Sequence, residues 1–467
     1  MDWLDESRFA DIHTFVYSGM RFEPETGVAE FDFAHEGSAQ RLSFTETIEF
    51  PLPAGGPDPA VLEPLTRVLE LLYIAVGTVY YKAVAPETVA VDSVPLSPAA
   101  AQWAEQLYHH GLAEFAYRWT LEHVLDVPVR THDKVPARQH HDHGEGGRVP
   151  VVAMGGGRDS IVALETLIAS GVEPATFTVT KTPTASIAEI MAQGPGPTLS
   201  ILRRPDPRMT RMLAENVLRI GHVPVTAINS MAGVALSVLH GLGPVVMANE
   251  RSADEVNMTW RGRQINHQWS KTRAAEKLFA EAVREHAGIS TACFSLLGGL
   301  SELAISRLFA STTTYDALLT SCNVAARRVR EDWQGRWCQD CAKCRFVFLG
   351  LAPFMDTARL VGIVGHNLLD DPAQLLGYRE LVGLADHKPF ECVGEVTEAR
   401  VAVAMLAEDS RWRDAAVVAD LTARLPPVPE AAIAQVWQAD QAHGAPRAYR
   451  HALERWSASA KATQGGS

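Results

Sequence analysis

The chain of 467 residues is long enough for two or three domains, and 47% of its residues are hydrophobic, as is typical of soluble globular proteins. The net charge of −13 argues against RNA or DNA as a partner, because phosphate backbones are bound by basic surfaces. The acidic start MDWLDESRFADIHTF lacks the features of a signal peptide, and the apolar run Leu71–Val79 is too short to span a membrane. We therefore predict a cytoplasmic protein without membrane insertion.

Residues 1–147 are predicted to form an N-terminal α+β domain. Phe22–Glu36 and Arg41–Phe50 alternate apolar and polar side chains, which predicts a β-hairpin that turns at Gly37-Ser38. Leu62–Lys82 has the composition of a mostly buried helix. Pro98–Glu122 predicts one or two further helices, which are rich in aromatic residues.

A polar linker, THDKVPARQHHDHGEGG at residues 131–147, marks the predicted boundary with the second domain. His140, His141 and His143 offer metal ligands here, but the surrounding composition favours an ordinary solvated loop. Beyond the linker we place an α/β domain at 148–345, a helical region at 346–456 and a disordered tail at 457–467.

The central motif of the chain opens the second domain. Val151–Met154 is an apolar run typical of a buried parallel strand, and the next three glycines allow a tight turn. Asp159 and Ser160 then open an amphipathic helix. Backbone N–H groups converge at such a helix N-terminus, where the helix dipole favours an anion. The motif predicts an anion site formed by Gly155, Gly156, Gly157, Arg158, Asp159 and Ser160.

Three interpretations of this site are open. A dinucleotide fingerprint, G-x-G-x-x-G, would need glycine where Ser160 stands, and a tight turn without any ligand has the same composition. The third interpretation is ATP, because GGRDS resembles the PP-loop SGGxDS of the ATP pyrophosphatases, with Gly155 where that superfamily has serine. A Walker A site for ATP is excluded, because that pattern needs a lysine. The resemblance implies that the loop holds the diphosphate of ATP and that Asp159 holds Mg²⁺.

Strand and helix patterns alternate after the glycine turn, which predicts a parallel sheet with helices on both faces. The predicted strands are Val149–Met154, Pro174–Thr180, Val223–Ile228 and Val245–Ala248, and the predicted helices are Ser160–Ala169, Arg208–Ile220 and Met231–Gly241. Ligands of such sheets bind at the carboxyl ends of the strands. The fold class is therefore α/β, with a parallel-sheet PP-loop domain, an N-terminal α+β domain and a helical C-terminal region.

The segment after the last of these strands is unusually polar. Residues 248–277, ANERSADEVNMTWRGRQINHQWSKTRAAEK, concentrate amide, carboxylate and basic side chains with two tryptophans, which indicates an active-site loop. Its arginines Arg251, Arg261 and Arg263 are candidates to bind a small anionic substrate. Ser270-Lys271 is predicted to start a helix that continues to about His286.

A cysteine cluster follows in the same domain. Cys338, Cys341 and Cys344 are spaced by two residues, and Cys322 lies upstream, so four thiolates are available for tetrahedral zinc. The pattern resembles the zinc knuckle of the 7-cyano-7-deazaguanine synthases, which are also PP-loop enzymes. Free thiols and an iron–sulfur cluster remain the alternatives. The two other cysteines, Cys293 and Cys392, are predicted to be buried core residues.

The remainder of the chain is predicted to be helical. The expected helices are Phe346–Phe354, Asp371–Leu384, Glu395–Glu408, Arg411–Arg424 and Pro429–His443. One polar segment, ADHKPFECVGEVTEAR, interrupts them, and Lys388, Glu391, Glu395 and Glu398 are candidates to reach back to the site.

Four motifs in order, AMGGGRDS, ANERSA…INHQWSK, WCQDCAKC and HKPFECVG, resemble the MurL family of epimerases. The resemblance implies ATP- and Mg²⁺-dependent inversion of the terminal L-Glu of UDP-N-acetylmuramoyl-L-alanyl-L-glutamate to D-Glu, with release of AMP and diphosphate. Under this hypothesis His267 and Lys271 are candidates for proton transfer, with Glu250 as a rival base and Asn249 or Asn266 as orienting groups. A structural role for any one of them is an equal alternative.

Two other classes of function fit the motifs that the residues alone identify. A PP-loop ligase would transfer the adenylated carboxylate to ammonia or an amine. A non-catalytic nucleotide-binding module would bind ATP without consuming it. The dense polar segment at 249–271 favours an enzyme over a binding module.

Overall fold

The computed structural model describes residues 9–131, 135–137, 148–182, 184–324, 336–385, 389–440 and 444–464, with side chains to residue 458. The predicted histidine site at 140–143 lies outside these ranges, as does Lys388. None of the helices described here is both long and apolar enough to cross a bilayer.

Strands and helices alternate along most of the chain. The strands are β1 Ile12–Glu23, β2 Val28–Gly37, β3 Arg41–Glu49, β4 Thr88–Val91, β5 Val129–Thr131, β6 Val151–Ala153, β7 Ala175–Thr180, β8 Thr198–Arg204, β9 Val245–Met247, β10 Met258–Trp260, β11 Arg263–Ile265 and β12 Cys293–Ser295. The first helices are α1 Leu62–Tyr81, α2 Pro98–Gly111, α3 Ala113–Trp119, α4 Arg158–Ile168, α5 Ala185–Met191, α6 Pro207–Ala214, α7 Val225–His240, α8 Arg273–Ala287 and α9 Glu302–Ala310. The C-terminal helices are α10 Ala342–Leu351, α11 Thr357–Val364, α12 Leu375–Leu381, α13 Val396–Glu408, α14 Ala416–Arg424, α15 Glu430–Trp437 and α16 Arg447–Gln464.

Ten strands form one sheet in the order β12-β9-β6-β7-β8-β3-β2-β1-β4-β5. The five strands from β12 to β8 are mutually parallel, whereas the pairs β8–β3, β3–β2 and β2–β1 are antiparallel. Beyond them β1, β4 and β5 are again parallel to one another. The N-terminal strands therefore continue the sheet of the second unit, because β3 pairs with β8 across the predicted boundary at residue 147. The division into domains stays a prediction, and the α/β class is confirmed.

The sheet separates two hydrophobic layers. Val151 and Val245 belong to the layer that contains α1 and α7, whereas Val152 and Val246 belong to the layer that contains α4, α9 and the C-terminal helices. Successive residues of a strand point to opposite faces, so apolar strands need cover on both sides. This explains why β6 and β9 are apolar throughout.

Several predictions of local structure are wrong, among them the helix Arg208–Ile220, which ends at Ala214. Val223–Ile228 is not a strand, because α7 begins at Val225, directly after Pro224, and is largely buried. A short buried apolar run has the same composition in a helix and in a strand, and this one belongs to a helix. The tail also differs from the prediction, since α16 continues to Gln464. The predicted hairpin is confirmed from Val28 to Glu36, where β2 pairs with β3, but Phe22 and Glu23 belong to β1.

The order in which the parallel strands are added to the sheet reverses beside β6. The chain passes from β6 to β7 on one side, whereas β9 lies on the other side and β12 lies beyond it. Ligands of open α/β sheets bind at such a reversal, outside the carboxyl ends of the strands. The segments that follow β6, β9 and β12 therefore meet at one edge.

Candidate active site

The glycine turn after β6 has the geometry of an anion cradle. Gly156 has a φ of +80°, and Gly157 is the N-cap of α4. Among the described residues, none accepts a hydrogen bond from the backbone N–H of Gly155, Gly156 or Gly157. A Cβ atom on Gly155 would meet nothing within 4 Å, so the space beside the turn is open. Free N–H groups at a helix N-terminus favour a phosphate.

The Ser160 hydroxyl, unlike the N–H groups of the glycine turn, already donates a hydrogen bond within the protein. It donates to the carbonyl oxygen of Gly157 at 2.9 Å and so closes the first turn of α4. The backbone of the turn also supports a neighbouring segment, since Thr320 N–H donates to Gly156 O at 3.2 Å. This contact places the start of the cysteine segment beside the cradle.

Three carboxylates converge at the carboxyl edge of the sheet. Asp159 follows β6, Glu250 follows β9 and Glu302 follows β12. One oxygen of each lies within 4.8 Å of the others. Asp159 and Glu250 belong to motifs that the sequence predicts, whereas Glu302 begins an ordinary amphipathic helix and carries no local signal.

Three cations surround this carboxylate cluster, defined as Asp159, Glu250 and Glu302. Arg158 pairs with Glu302 and, at 3.2 Å, with Asp159. Lys271 Nζ lies 3.6 Å from Glu250, and Lys343 Nζ lies 3.8 Å from Glu302. Like charges so close would destabilise the fold without compensation, so the cations are needed to hold the carboxylates together.

Burial and neighbouring charges shift the pKa values of Asp159 and Glu302 in opposite directions. Burial by itself raises the pKa of Asp159, but Arg158, Lys343 and Lys271 outweigh it and hold the pKa below its usual value. Burial raises the pKa of Glu302 above its usual value, although Arg158 opposes the shift. Asp159 is therefore held in its ionised form more strongly than Glu302.

Lys271 remains a cation in this environment. Burial alone would lower its pKa, but Cys392 and then Glu250 outweigh the burial, so the pKa is raised above its usual value. Cys392, predicted as a buried core residue, is only half-buried. A protonated lysine stabilises developing negative charge and does not act as a base.

Among the described residues, two oxygens of the cluster accept no hydrogen bond, although one of them, Glu302 Oε1, faces the Lys343 ammonium at 3.8 Å. They are Oε2 of Glu250 and Oε1 of Glu302, both fully buried. A buried polar atom without a partner is costly, and a missing ligand is one explanation for it. Carboxylate oxygens are the ligands that Mg²⁺ prefers, so the cluster fits a divalent cation.

His267 is held in one orientation by Asn257. Asn257 Oδ1 accepts the backbone N–H of His267 at 3.1 Å and lies 2.8 Å from its Nδ1. An amide oxygen carries no hydrogen and can only accept, so Nδ1 carries the proton and Nε2 is the basic nitrogen of the neutral ring. The ring of His222 lies perpendicular to it at 5.5 Å.

Asn266 has a different environment. Its Nδ2 donates to Ala253 O and its Oδ1 accepts from Gln268 N–H, both at 2.8 Å. These contacts tie the 249–254 segment to the 266–271 segment. They favour a positioning role for Asn266 over direct proton transfer.

Part of the C-terminal polar segment reaches this edge. Glu398 accepts from the Ser252 hydroxyl and, at 3.0 Å, from Leu303 N–H. Glu391 accepts from Lys343 N–H at 3.2 Å. Both glutamates therefore contact segments next to the carboxylate cluster, as predicted.

The predicted substrate arginines are already paired. Arg251 donates to Gln438 O at 2.9 Å. Arg263 pairs with Asp126 at 2.5 Å and Arg261 with Glu122 at 3.8 Å, with at least half of each arginine side chain exposed. Exposed ion pairs are weak, so a bound anion competes with them.

The four predicted cysteines form a compact cluster. The sulfur atoms of Cys322, Cys338, Cys341 and Cys344 lie within 4.8 Å of one another. Cys338 N–H points to the sulfur of Cys322 at 3.2 Å, and Cys341 N–H points to that of Cys338 at 3.3 Å. Such N–H contacts support thiolate ligands, and the cluster can hold a metal such as zinc.

Comparison with known proteins identifies relatives over most of the chain. The family model described as the MurL N-terminal domain matches residues 6–296, and that described as the MurL C-terminal domain matches residues 318–436. No solved structure matches the chain significantly.

Three curated relatives carry one name, UDP-N-acetyl-alpha-D-muramoyl-L-alanyl-L-glutamate epimerase. The protein from Salinispora tropica is 48% identical over 88% of this chain and 89% of its own length. That from Micromonospora sp. is 47% identical over 94% of this chain and 97% of its own. That from Xanthomonas oryzae pv. oryzae is 38% identical over 87% and 88%, respectively.

Proposed function

This chain belongs to the MurL family of epimerases, and from that membership we propose the reaction that its site performs. The chain inverts the terminal L-Glu of UDP-N-acetylmuramoyl-L-alanyl-L-glutamate to D-Glu at the expense of ATP. The proposed use of ATP rests on one observation, which is the open glycine turn beside the cluster of Asp159, Glu250 and Glu302.

Activation of the carboxylate explains the need for ATP. A free α-carboxylate is electron-rich, so the neighbouring C–H is a very weak acid. Attack of a carboxylate oxygen on the α-phosphorus forms an acyl adenylate and breaks the bond to the β-phosphate, releasing diphosphate. The turn Gly155–Gly157 provides N–H donors for that leaving diphosphate. Each tenfold gain in rate corresponds to about 1.4 kcal/mol of barrier.

Mg²⁺ fits the carboxylate cluster as the partner of ATP. Asp159, Glu250 and Glu302 would hold it, because all three offer oxygen ligands and two of the buried oxygens accept no hydrogen bond from the described residues. When bound, the ion neutralises phosphate charge. In this assignment Glu250 is a ligand and no longer a candidate base.

Proton transfer is then assigned to His267. Its Nε2 is the basic nitrogen, while Asn257 fixes the ring. The Lys271 ammonium, beside Glu250, stabilises the enolate that forms when the α-proton leaves. A proton that comes from solvent water adds on the opposite face and inverts the carbon. A second water then hydrolyses the adenylate to the D-Glu product and AMP.

The cysteine cluster is assigned a structural role. Zinc bound by Cys322, Cys338, Cys341 and Cys344 would fix the segment that begins at Thr320, which contacts the glycine turn. The metal site therefore supports the shape of the cradle and takes no part in the chemistry.

The test is incubation of the full chain with ATP, Mg²⁺ and UDP-N-acetylmuramoyl-L-alanyl-L-glutamate in D₂O. Deuterium should enter the glutamate α-carbon, D-Glu should be recovered after acid hydrolysis, and AMP should form in step. An amide or a new peptide bond with L-Glu retained would instead identify a ligase. ADP as product would contradict cleavage at the α-phosphate, and tight, salt-dependent tRNA binding would contradict a small-molecule substrate.

A further inference from the structure

An aromatic strip runs from His267 towards the hairpin β10–β11. We define it as Phe390, Tyr117 and Trp260, in that order. The ring centroids are 6.1 Å apart from His267 to Phe390, 5.7 Å from Phe390 to Tyr117 and 5.8 Å from Tyr117 to Trp260. A C-terminal loop, helix α3 and the hairpin each contribute one ring of the strip. Side chains from three distant segments thus form one continuous surface that begins at the proposed base.

The strip retains both exposed faces and polar tips. All three rings are half-buried. Within the part of the chain that the structure describes, Tyr117 Oη and Trp260 Nε1 make no hydrogen bond. Tyrosine and tryptophan in a packed core usually have a partner for these groups. The strip therefore has the properties of a surface that meets a ligand.

The hairpin places a guanidinium group beside the strip. Its turn, Arg261-Gly262, has φ values of +51° and +75°, as a two-residue hairpin requires. Trp260 pairs directly opposite Arg263, so both side chains lie on the same face of the hairpin. The Arg263–Asp126 pair has side chains 50% and 63% exposed, and a diphosphate displaces so weak a pair readily.

We infer that the aromatic strip and Arg263 bind the nucleoside diphosphate sugar part of the substrate. This inference rests on the proposed function, which puts the glutamyl end at His267 and Lys271. Flat base and sugar rings stack on aromatic faces, and a diphosphate pairs with a guanidinium group. One extended ligand would therefore lie along the strip from Arg263 to His267. ATP occupies the glycine cradle and does not use the strip.

The experiment measures binding to the full chain without ATP. Affinities for UDP-N-acetylmuramoyl-L-alanyl-L-glutamate and for UDP are determined by calorimetry. Trp260→Leu and Tyr117→Leu keep apolar bulk and should weaken both about tenfold, because stacking of one base on one ring is lost. Arg263→Gln should weaken UDP binding and reduce its salt dependence. The KM for ATP should not change in any of the three.

Trp437→Leu is the matched control. Trp437 is also half-buried, but it packs on Phe354 among the C-terminal helices. It should bind both ligands like the unmodified chain. Thermal melting shows that each variant is folded before its affinity is compared.

The outcomes separate this inference from the proposed function. If a folded Trp260→Leu variant binds with unchanged affinity while the unmodified chain epimerises its substrate, the strip is not the binding site for the nucleoside diphosphate sugar. The proposed epimerase function is then still supported. Weakened binding in the variant, while the unmodified chain yields no D-Glu, supports the strip and overturns the function. No binding of either UDP compound to the unmodified chain overturns both.

Discussion

The guanidinium group of Arg158 and the carboxylate of Glu302 form an ion pair that is closed to solvent on both sides, with side-chain exposures of 1% and 0%. Arg158 is the first residue of α4 and Glu302 is the first residue of α9. The pair therefore links the helix of the glycine turn to the strand end at β12. Ser306 accepts a further bond from Arg158 at 2.6 Å.

The first prediction concerns this pair. Arg158→Met should lower the free energy of unfolding by about 3–5 kcal/mol, because Glu302 would lose its main buried partner. Urea denaturation measures the change. Arg424→Met is the control, since Arg424 is 53% exposed in its pair with Asp420, and it should cost less than about 1 kcal/mol. Equal losses in the free energy of unfolding would show that the buried pair stabilises the fold no more than the exposed pair.

The second prediction concerns the divalent cation. Asp159→Asn, Glu250→Gln and Glu302→Gln should each weaken Mn²⁺ binding at least about tenfold in the absence of ATP, since each removes a charged ligand. Electron paramagnetic resonance measures free Mn²⁺ directly, without any dependence on turnover. The exposed Glu408 provides the control variant Glu408→Gln. Full Mn²⁺ affinity in all three folded variants would exclude the cluster as the site.

The third prediction concerns the cysteine cluster. Purified protein should contain one zinc ion per chain, and Cys341→Ser should lose the metal together with thermal stability, because metal binding is coupled to folding. Elemental analysis and thermal melting measure the two effects. Cys293→Ala, outside the cluster, should retain the ion. Protein that has stoichiometric iron, or no metal at all, would reject zinc.

The fourth prediction concerns proton transfer. His267→Asn should abolish deuterium incorporation at the glutamate α-carbon while ATP-dependent exchange of diphosphate continues, because activation precedes removal of the proton. Asn257→Ala should reduce the rate about 10–100-fold, since the ring loses the acceptor that fixes it. Undiminished deuterium incorporation in His267→Asn would assign the base elsewhere.

The fifth prediction concerns pH. Burial, opposed by the Ser252 hydroxyl, raises the pKa of Glu398 from 4.5 to about 8. The folded chain therefore binds this proton more tightly than the unfolded chain, so the contribution of Glu398 to stability is largest below pH 4.5. It is lost as the pH rises towards 8, by up to about 1.4 kcal/mol per pH unit.

Glu398→Gln tests this sign. Glutamine keeps an acceptor for Ser252 and cannot ionise. Urea denaturation at pH 5 and at pH 8.5 should show a smaller fall in stability for this variant than for the unmodified chain. Glu408→Gln should behave like the unmodified chain, because Glu408 is exposed. Parallel pH profiles of the unmodified chain and Glu398→Gln would contradict the raised pKa.

The sequence by itself determined the features that consecutive residues encode. An apolar run, three glycines and an acidic helix start specify the strand, turn and helix around Gly155–Ser160 through local conformational rules. The spacing of Cys338, Cys341 and Cys344 likewise placed their sulfur atoms together, because one tight loop fixes their separation. Glu250 was found from its density of polar neighbours after a strand.

Only the tertiary structure decided which distant residues meet these motifs. Glu302 joins Asp159 because β12 lies beside β9, and that order of strands is a long-range pairing without a local signal. The apolar run 223–228 became a helix for the same kind of reason, since both faces of the sheet demand apolar cover. The strip from His267 to Trp260 depends on contacts between three separate segments. Such contacts follow from how the layers pack, which local composition does not encode.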